Sequence, residues 1–344
     1  MKQPKHILII RLSAVGDIIL ATPAAARLRT IFPDSKITWL VDVGYQDLVK
    51  GNPQIDRVVE FDYTGNHRGP GGIRSLAGEL RPVDLLVDFQ HKVRTLLLAA
   101  YLRPAQKKVL VKRHGFGVIK ALIGKDAILR APHQVERYLD ILDEFCGAES
   151  DRRTPELVVD QADSNYAEKV IAKKASSNSL VGIFPSTRHP TKRWPAKYTA
   201  ELADMCLSRG LNIAILGGQA DILQAQAVVE SMQAQPTFVH TSGSLGQLAG
   251  LVSKCKIVVS PDTGPAHMAA ALKVPVIALF GPTSPERWAP RGAECRVLRQ
   301  ELPCSPCSNH GGSSCSIGTY ECMQLLKPDR VVQSLFEVLK LGKE

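Results

Sequence analysis

Short runs of apolar, often β-branched residues recur along the chain, separated by stretches whose apolar positions follow a helical period. "KHILIIRL" (residues 5–12), "KITWLVD" (36–42) and "PVDLLVDFQ" (82–90) read as buried strands, and "GDIILATPAAARLRTIF" (16–32) reads as a helix. Strands that are apolar on both faces and alternate with helices belong to parallel sheets covered on both sides. The pattern pauses in "QADSNYAEKVIAKKASSNS" (161–179), which is polar and ends in a Ser/Asn cluster. It restarts with "LVGIFP", a helix from about Ala196 to Arg209, "LNIAILGG", a helix after Asp221, "TFVH", the helix "LGQLAGLVSK", "KIVVS", an Ala-rich helix and "PVIALFGP". The fold class expected is α/β, with two tandem, doubly wound parallel-sheet domains of Rossmann-like type. The first covers 1–165 and the second 175–344, with a linker near 160–178; the final helix is a candidate to pack back on the first domain. Ligands of such sheets bind at the carboxyl ends of strands, so a shared site is expected in the cleft between the domains.

Length agrees with two domains, since 344 residues exceed one ordinary core. The net charge of +10 is unevenly placed: ten basic residues from Lys92 to Arg130 face the single acid Asp126, a local charge of +9. Apolar residues are interleaved with these charges, which fits a folded amphipathic region and not a basic tail. A solvated face explains it, and so does a footprint for nucleic acid, an acidic membrane surface or a polyanionic substrate. No signal peptide is visible and no stretch reaches the length of an apolar membrane span, so a cytoplasmic location is expected.

The turns carry the candidate chemistry. After the first strand only Gly16 stands where a dinucleotide fingerprint needs three glycines, which argues against a nicotinamide or flavin cofactor. Asp17 follows it, either as a helix-capping carboxylate or as a general base. In "FPSTRHPTKRWP", Ser186 and Thr187 offer hydroxyls and Arg188, Lys192 and Arg193 offer charge, as a phosphate loop would, although the spacing is not a P-loop. Gly217 and Gly218 in "ILGGQAD" allow a ligand close to the backbone, or simply a turn. In "SPDTGPAHMAAALK", Gly264 and Pro265 fit the N-cap and first position of a helix. The helix amides with Asp262, Thr263 and His267 then form a candidate anion site; caps and a surface histidine are the plainer reading. Finally, Cys304, Cys307, Cys315 and Cys322 cluster around His310. C-x-x-C followed by two further cysteines makes a candidate structural zinc site, but the intervals of seven and six residues are irregular and free thiols are the default.

"IRLSAVGDIILATP", "STRHPTKRWP" and "SPDTGPAHMAAALKVPVIALFGPTSPERWAP" together resemble the ordered motifs of the ADP-heptose:lipopolysaccharide heptosyltransferases, glycosyltransferase family 9. The resemblance implies a GT-B architecture, acceptor on the N-terminal domain and donor on the C-terminal one. It implies inverting, metal-independent transfer of heptose from ADP-heptose to the lipopolysaccharide inner core, on Kdo-lipid A or heptosyl-Kdo-lipid A, with no cofactor. Asp17 matches the family's catalytic base. Ser186 or Thr187 and Lys192 match its phosphate contacts, and Asp262, Thr263, Gly264 and His267 match its D-T-G-x-x-H donor motif. The acid expected near the ribose has only Asp221 as a candidate. Arg68, Arg74 and Arg113 are acceptor candidates chosen by charge. The partners implied are the nucleotide-sugar donor and an anionic lipopolysaccharide precursor, with the basic window on the cytoplasmic surface of the inner membrane and no nucleic acid bound. The alternatives are an epimerase-type nucleotide-sugar enzyme of the same fold without a lipid acceptor, and a basic nucleic-acid-binding protein. Turnover of donor without acceptor would mark the first, and salt-sensitive nucleic-acid binding the second.

Overall fold

The computed structural model describes residues 3–109, 131–145, 154–174, 180–292 and 294–341, which divide into two compact units. In the first unit β1 (His6–Ile10), β2 (Lys36–Asp42), β3 (Arg57–Phe61), β4 (Leu85–Asp88) and β5 (Gln106–Val109) form a parallel sheet in the order β3-β2-β1-β4-β5. Helices α1 (Val15–Ile31), α2 (Gly69–Leu80), α3 (Val93–Leu102) and α4 (Gln134–Asp140) accompany it. Ile7 to Ile10 are completely buried because β1 is central and covered on both faces. One core cluster joins Leu8 and Ile10 of β1 to Ile73, Leu76 and Leu80 of α2 and Leu98 and Leu102 of α3.

The second unit carries β6 (Leu180–Ile183), β7 (Asn212–Leu216), β8 (Phe238–His240), β9 (Ile257–Pro261), β10 (Val276–Phe280) and β11 (Cys295–Arg299), all parallel, in the order β11-β10-β9-β6-β7-β8. Its helices are α5 (Gln161–Ala172), α6 (Ala196–Leu207), α7 (Ile222–Ser231), α8 (Leu245–Ser253), α9 (Gly264–Ala271), α10 (Pro285–Trp288), α11 (Glu321–Gln324) and α12 (Pro328–Leu341). The segment expected to be a linker is largely α5. Asp160 caps it by accepting a hydrogen bond from the Asp163 amide at 2.9 Å, and buried Ala167 packs near Gly250 of α8. Besides Ala167 it docks through Asp163, which lies against Gly246 of α8, and through the Tyr166 ring, 5.9 Å from that of His240, so few apolar atoms were enough to seat it. The final helix α12 belongs to this unit, where Val331, Leu335 and Val338 join the core cluster of β6, β7, β9 and α6.

Both sheets are doubly wound, and each has a point where the winding reverses: between β1 and β4 in the first, between β6 and β9 in the second. Loops leaving adjacent strands at such a point diverge and open a crevice at the carboxyl edge. Asp17 follows β1, whereas the loop of Lys192 follows β6 and the turn of Asp262 follows β9. No helix among the described residues is long and apolar enough to cross a membrane.

Candidate active site

In the first unit, Asp17 lies in the first turn of α1, whose N-cap is Ala14, without a side-chain hydrogen bond. The carboxylate is held by partners from outside the helix. Arg11 Nη2 lies 2.6 Å from Asp17 Oδ1, and the Tyr138 hydroxyl donates to the same oxygen at 2.9 Å. Arg11 is only 3 % exposed and is itself fixed by donating from Nη1 to the Phe89 carbonyl at 2.9 Å. Tyr138 packs its ring against Phe89, with centroids 4.8 Å apart. Burial works against the Arg11 charge, but Tyr138, Asp17 and Asp88 outweigh it and raise the guanidinium above its ordinary value. Burial likewise pushes the Tyr138 phenol far up, so it remains a neutral donor. The Asp17 side chain keeps 30 % exposure. A carboxylate clamped on one oxygen by two rigid donors at a sheet's carboxyl edge is suited to accepting a proton from a hydroxyl.

In the second unit another cluster is built at that unit's own crossing point. β6 pairs directly with β9, so the loops that leave them start side by side. Lys192 closes a short 3-10 turn (Pro190–Lys192) and places Nζ 2.9 Å from Asp262 Oδ2. Thr283, after β10, donates its hydroxyl to the same oxygen at 2.6 Å. Asp262 is 4 % exposed and Thr283 1 %. The buried Asp262 carboxylate is thus compensated by the Lys192 ammonium and the Thr283 hydroxyl, and it holds both in place. The amide end of α9 begins two residues later. Its N-cap is Thr263, one residue earlier than the sequence suggested, and Pro265 occupies the second helical position. The Thr263 hydroxyl lies 3.2 Å from Ser260 Oγ and 3.3 Å from the Pro261 carbonyl, which fixes the turn. His189 next to this cluster is held below the ordinary histidine range by burial, then by Lys192 and Arg188, with Asp262 opposing.

Other sequence candidates fall in several places. Gly264 begins α9 and His267 is buried within it at 4 % exposure, so the plain surface reading of the histidine does not hold. Thr187 turns its hydroxyl onto the His189 carbonyl at 2.6 Å and stabilises its own loop, beside half-buried Ser186. Gly217 and Gly218 have a local explanation: a Cβ on Gly217 would come within 2.8 Å of Asp221 Cβ, and the Gly218 amide donates to Asp221 Oδ2 at 2.8 Å. That bond engages Asp221, the ribose candidate, in its own turn. Arg68 precedes α2 and Arg74 is exposed on it, whereas Arg113 lies outside the described residues. Of the basic window, Lys92, Arg94, Arg103, Lys107 and Lys108 are described, and Lys108 is ion-paired with Glu144.

Cys304, Cys307, Cys315 and Cys322 all line one cavity of about 160 Å³. Backbone hydrogen bonds, first that of Tyr320, lower the Cys315 thiol, while burial and then the neighbouring Cys307, Cys304 and Cys315 push Cys322 up to about 11. Among the described residues no group of three or more His, Cys, Asp or Glu is arranged to hold a metal ion. The irregular spacing brings the thiols to one cavity without converging them as the zinc ligand set that the sequence suggested.

Sequence reasoning missed Arg11, Tyr138 and Thr283. An arginine directly after the apolar run of β1 was a visible signal, because a charge at the end of a buried strand needs a partner. Thr283 sat unread inside "FGPTSPERW". Nothing local distinguishes Tyr138 from any other apolar-face residue of "QVERYLD".

The family model of glycosyltransferase family 9 (heptosyltransferase) matches residues 73–316, more than half of the chain. The chain belongs to glycosyltransferase family 9. It is 28 % identical over 300 residues to the lipopolysaccharide core heptosyltransferase OpsX of Haemophilus influenzae, covering 83 % of this chain and 82 % of that protein. Among solved structures it resembles a family 9 glycosyltransferase from Veillonella parvula, with a TM-score of 0.83, 23 % identity and 97 % of each chain covered. It also resembles the ADP-heptose lipopolysaccharide heptosyltransferase II of Escherichia coli, with a TM-score of 0.78, 21 % identity, and 98 % of this chain and all of that one covered. The doubly wound pair of domains expected from the sequence therefore has the GT-B fold of these heptosyltransferases.

Proposed function

We propose that this family 9 enzyme transfers a heptose from ADP-heptose to the lipopolysaccharide inner core with inversion, Asp17 acting as the base. The observation that carries the role of Asp17 is its clamp: the carboxylate is aimed by Arg11 and Tyr138. Asp17 takes the proton of the acceptor hydroxyl as that oxygen attacks the anomeric carbon. An ordinary carboxylate, of pKa about 3.9, is a weak base for an alcohol, so proton transfer is late and concerted with attack. The bond to the departing diphosphate breaks in an oxocarbenium-like transition state, and the charge appearing on that leaving group must be met. Lys192, held by Asp262, and the amide end of α9 beyond Thr263 supply positive charge at the second domain's crossing point. The four cysteines take no part in these steps.

The basic stretch suits a phosphorylated, carboxylate-rich acceptor presented at the cytoplasmic surface of the inner membrane. In α3, Val93 and Leu96 are exposed beside exposed Lys92 and Arg94, which places apolar and basic side chains together as a lipid surface requires. Arg68 and Arg74 are exposed in the same domain and remain acceptor candidates. The test is to incubate the purified chain with ADP-heptose, with and without Kdo-lipid A or its heptosylated form. Acceptor-dependent release of ADP with a heptosylated lipid product is expected. Turnover of the donor without any acceptor would replace this reading with the epimerase type.

A further inference from the structure

The Cys-rich loop has no step in the transfer, yet it is bonded to the donor lysine's own turn. Thr191, 6 % exposed and adjacent to Lys192, exchanges three hydrogen bonds with Gly312 of that loop. The Thr191 amide donates to the Gly312 carbonyl at 3.3 Å, the Thr191 hydroxyl donates to the same carbonyl at 3.1 Å, and the Gly312 amide donates to the hydroxyl at 2.8 Å. One residue earlier, Gly311 has φ +85°, a conformation that L side chains avoid. A Cβ there would lie 2.9 Å from His189 Cβ, 3.0 Å from Lys192 Cγ and 3.1 Å from Thr191 Oγ1. The bare backbone of Gly311 is therefore pressed against the stem of Lys192. The loop is stiffened in turn: Ser308 Oγ accepts from the amides of His310 and Gly311, and the amides of Cys307 and Ser308 both donate to the Pro282 carbonyl, beside Thr283.

We propose that Thr191, seated by Gly311 and Gly312 of the Cys-rich loop, is a positioning residue for Lys192. A lysine side chain is long and mobile, and a cation that must meet a diphosphate performs best when its freedom is already lost. Lys192 is restrained at three levels: its head by Asp262, its stem by Gly311, and its backbone through Thr191. Thr283, which bonds Asp262, follows directly on Pro282, to which the same loop is tied. One loop thus braces both partners of the ion pair. Thr191 also lines the cavity shared by the four cysteines, so the loop they populate serves as the brace.

This inference rests on the reading of Lys192 as the diphosphate contact, and two measurements keep the two apart. Competitive acetylation with acetic anhydride reads the accessibility of each lysine amine in the whole protein without donor. Thr191→Val should make Lys192 react several-fold faster while exposed-side Lys254 is unchanged, and Thr191→Ser should restore the slow rate. Gly311→Ala should behave as Thr191→Val, by displacing the stem. In calorimetric titration with ADP, Thr191→Val should weaken binding roughly tenfold, with the donor KM rising and kcat changing less. Circular dichroism and the melting temperature confirm that each variant is folded. An unchanged Lys192 acetylation rate in folded Thr191→Val and Gly311→Ala overturns the brace, whatever ADP does. If Lys192→Ala binds ADP like the wild type, the donor reading falls, and the acetylation result still decides the brace.

Discussion

At the scale of single residues, two carboxylates differ in how they are held. Asp17 is held on one oxygen and is partly open; Asp262 is closed in, with Lys192 and Thr283 on the same oxygen. Thr283→Val removes one of the two donors on Asp262 Oδ2 and loosens the seat of Lys192, so it should weaken ADP binding by a factor of several, about 1 kcal/mol, as measured by titration calorimetry. Tyr138→Phe removes a donor from the base while leaving the ring against Phe89. It should lower kcat about tenfold with the donor KM little changed, and steady-state kinetics with varied donor check this split. The acid limb of its pH–rate profile should move to higher pH, because a carboxylate that loses a hydrogen-bond donor is protonated more easily. Asp17 was legible in the sequence because its turn lies at a strand's carboxyl end. Its clamp was not, because Tyr138 is separated from it by 121 positions and becomes a partner only through packing.

At the scale of elements, hydrophobic period was a good guide wherever a strand was buried on both faces, as in β1, β2, β6, β9 and β10. It failed where docking relied on few apolar atoms. In α5 only Ala167 is buried, so "QADSNYAEKVIA" looked like a linker; the Asp160 cap and small residues on α8 make it a helix. Asp160→Ala should therefore lower the stability to urea by about 1 kcal/mol, with kcat unaltered. Deleting core atoms is more costly: Leu8→Ala in fully buried β1 should cost about 2–5 kcal/mol in the same measurement. The α9 turn was read one residue late because Gly264 and Pro265 were assigned to the cap and first position, whereas Thr263 is the extended residue before the helix. That shift leaves the chemistry of the turn intact and moves Thr263 to its mouth.

β8 adds an element that responds to pH. His240 at its end is 6 % exposed, and burial lowers its pKa against a smaller opposing hydrogen bond to Ser242. The unfolded chain then takes up the proton first, so the stabilisation is whole above about pH 6.5, the unfolded value, and is lost as pH falls toward the lowered folded value. His189 acts in the same direction. Urea unfolding between about pH 7.5 and about pH 5, across the ordinary histidine range, should show stability falling toward acid, and His240→Asn should flatten the slope.

At the scale of the whole molecule, the sheet topology explains why residues so far apart in sequence become chemistry. Winding reverses between β6 and β9, and that reversal brings together the loops of Lys192 and Asp262, which are 70 positions apart in sequence. The two-domain α/β architecture was legible because it repeats one pattern twice. The supporting residues were not, because topology and packing, unlike periodicity, leave no local mark. The uneven charge is what led us to propose the first domain for the anionic acceptor; of that basic window Lys92, Arg94, Arg103, Lys107 and Lys108 are described. The central claim is that the chain transfers heptose with Asp17 as base and a separate donor site. The most direct test compares Asp17→Asn with wild type in single-turnover heptose transfer, with ADP affinity measured on the same preparations. Asp17→Asn should abolish transfer while ADP binds as before; transfer at the wild-type rate would remove Asp17 from the role of base.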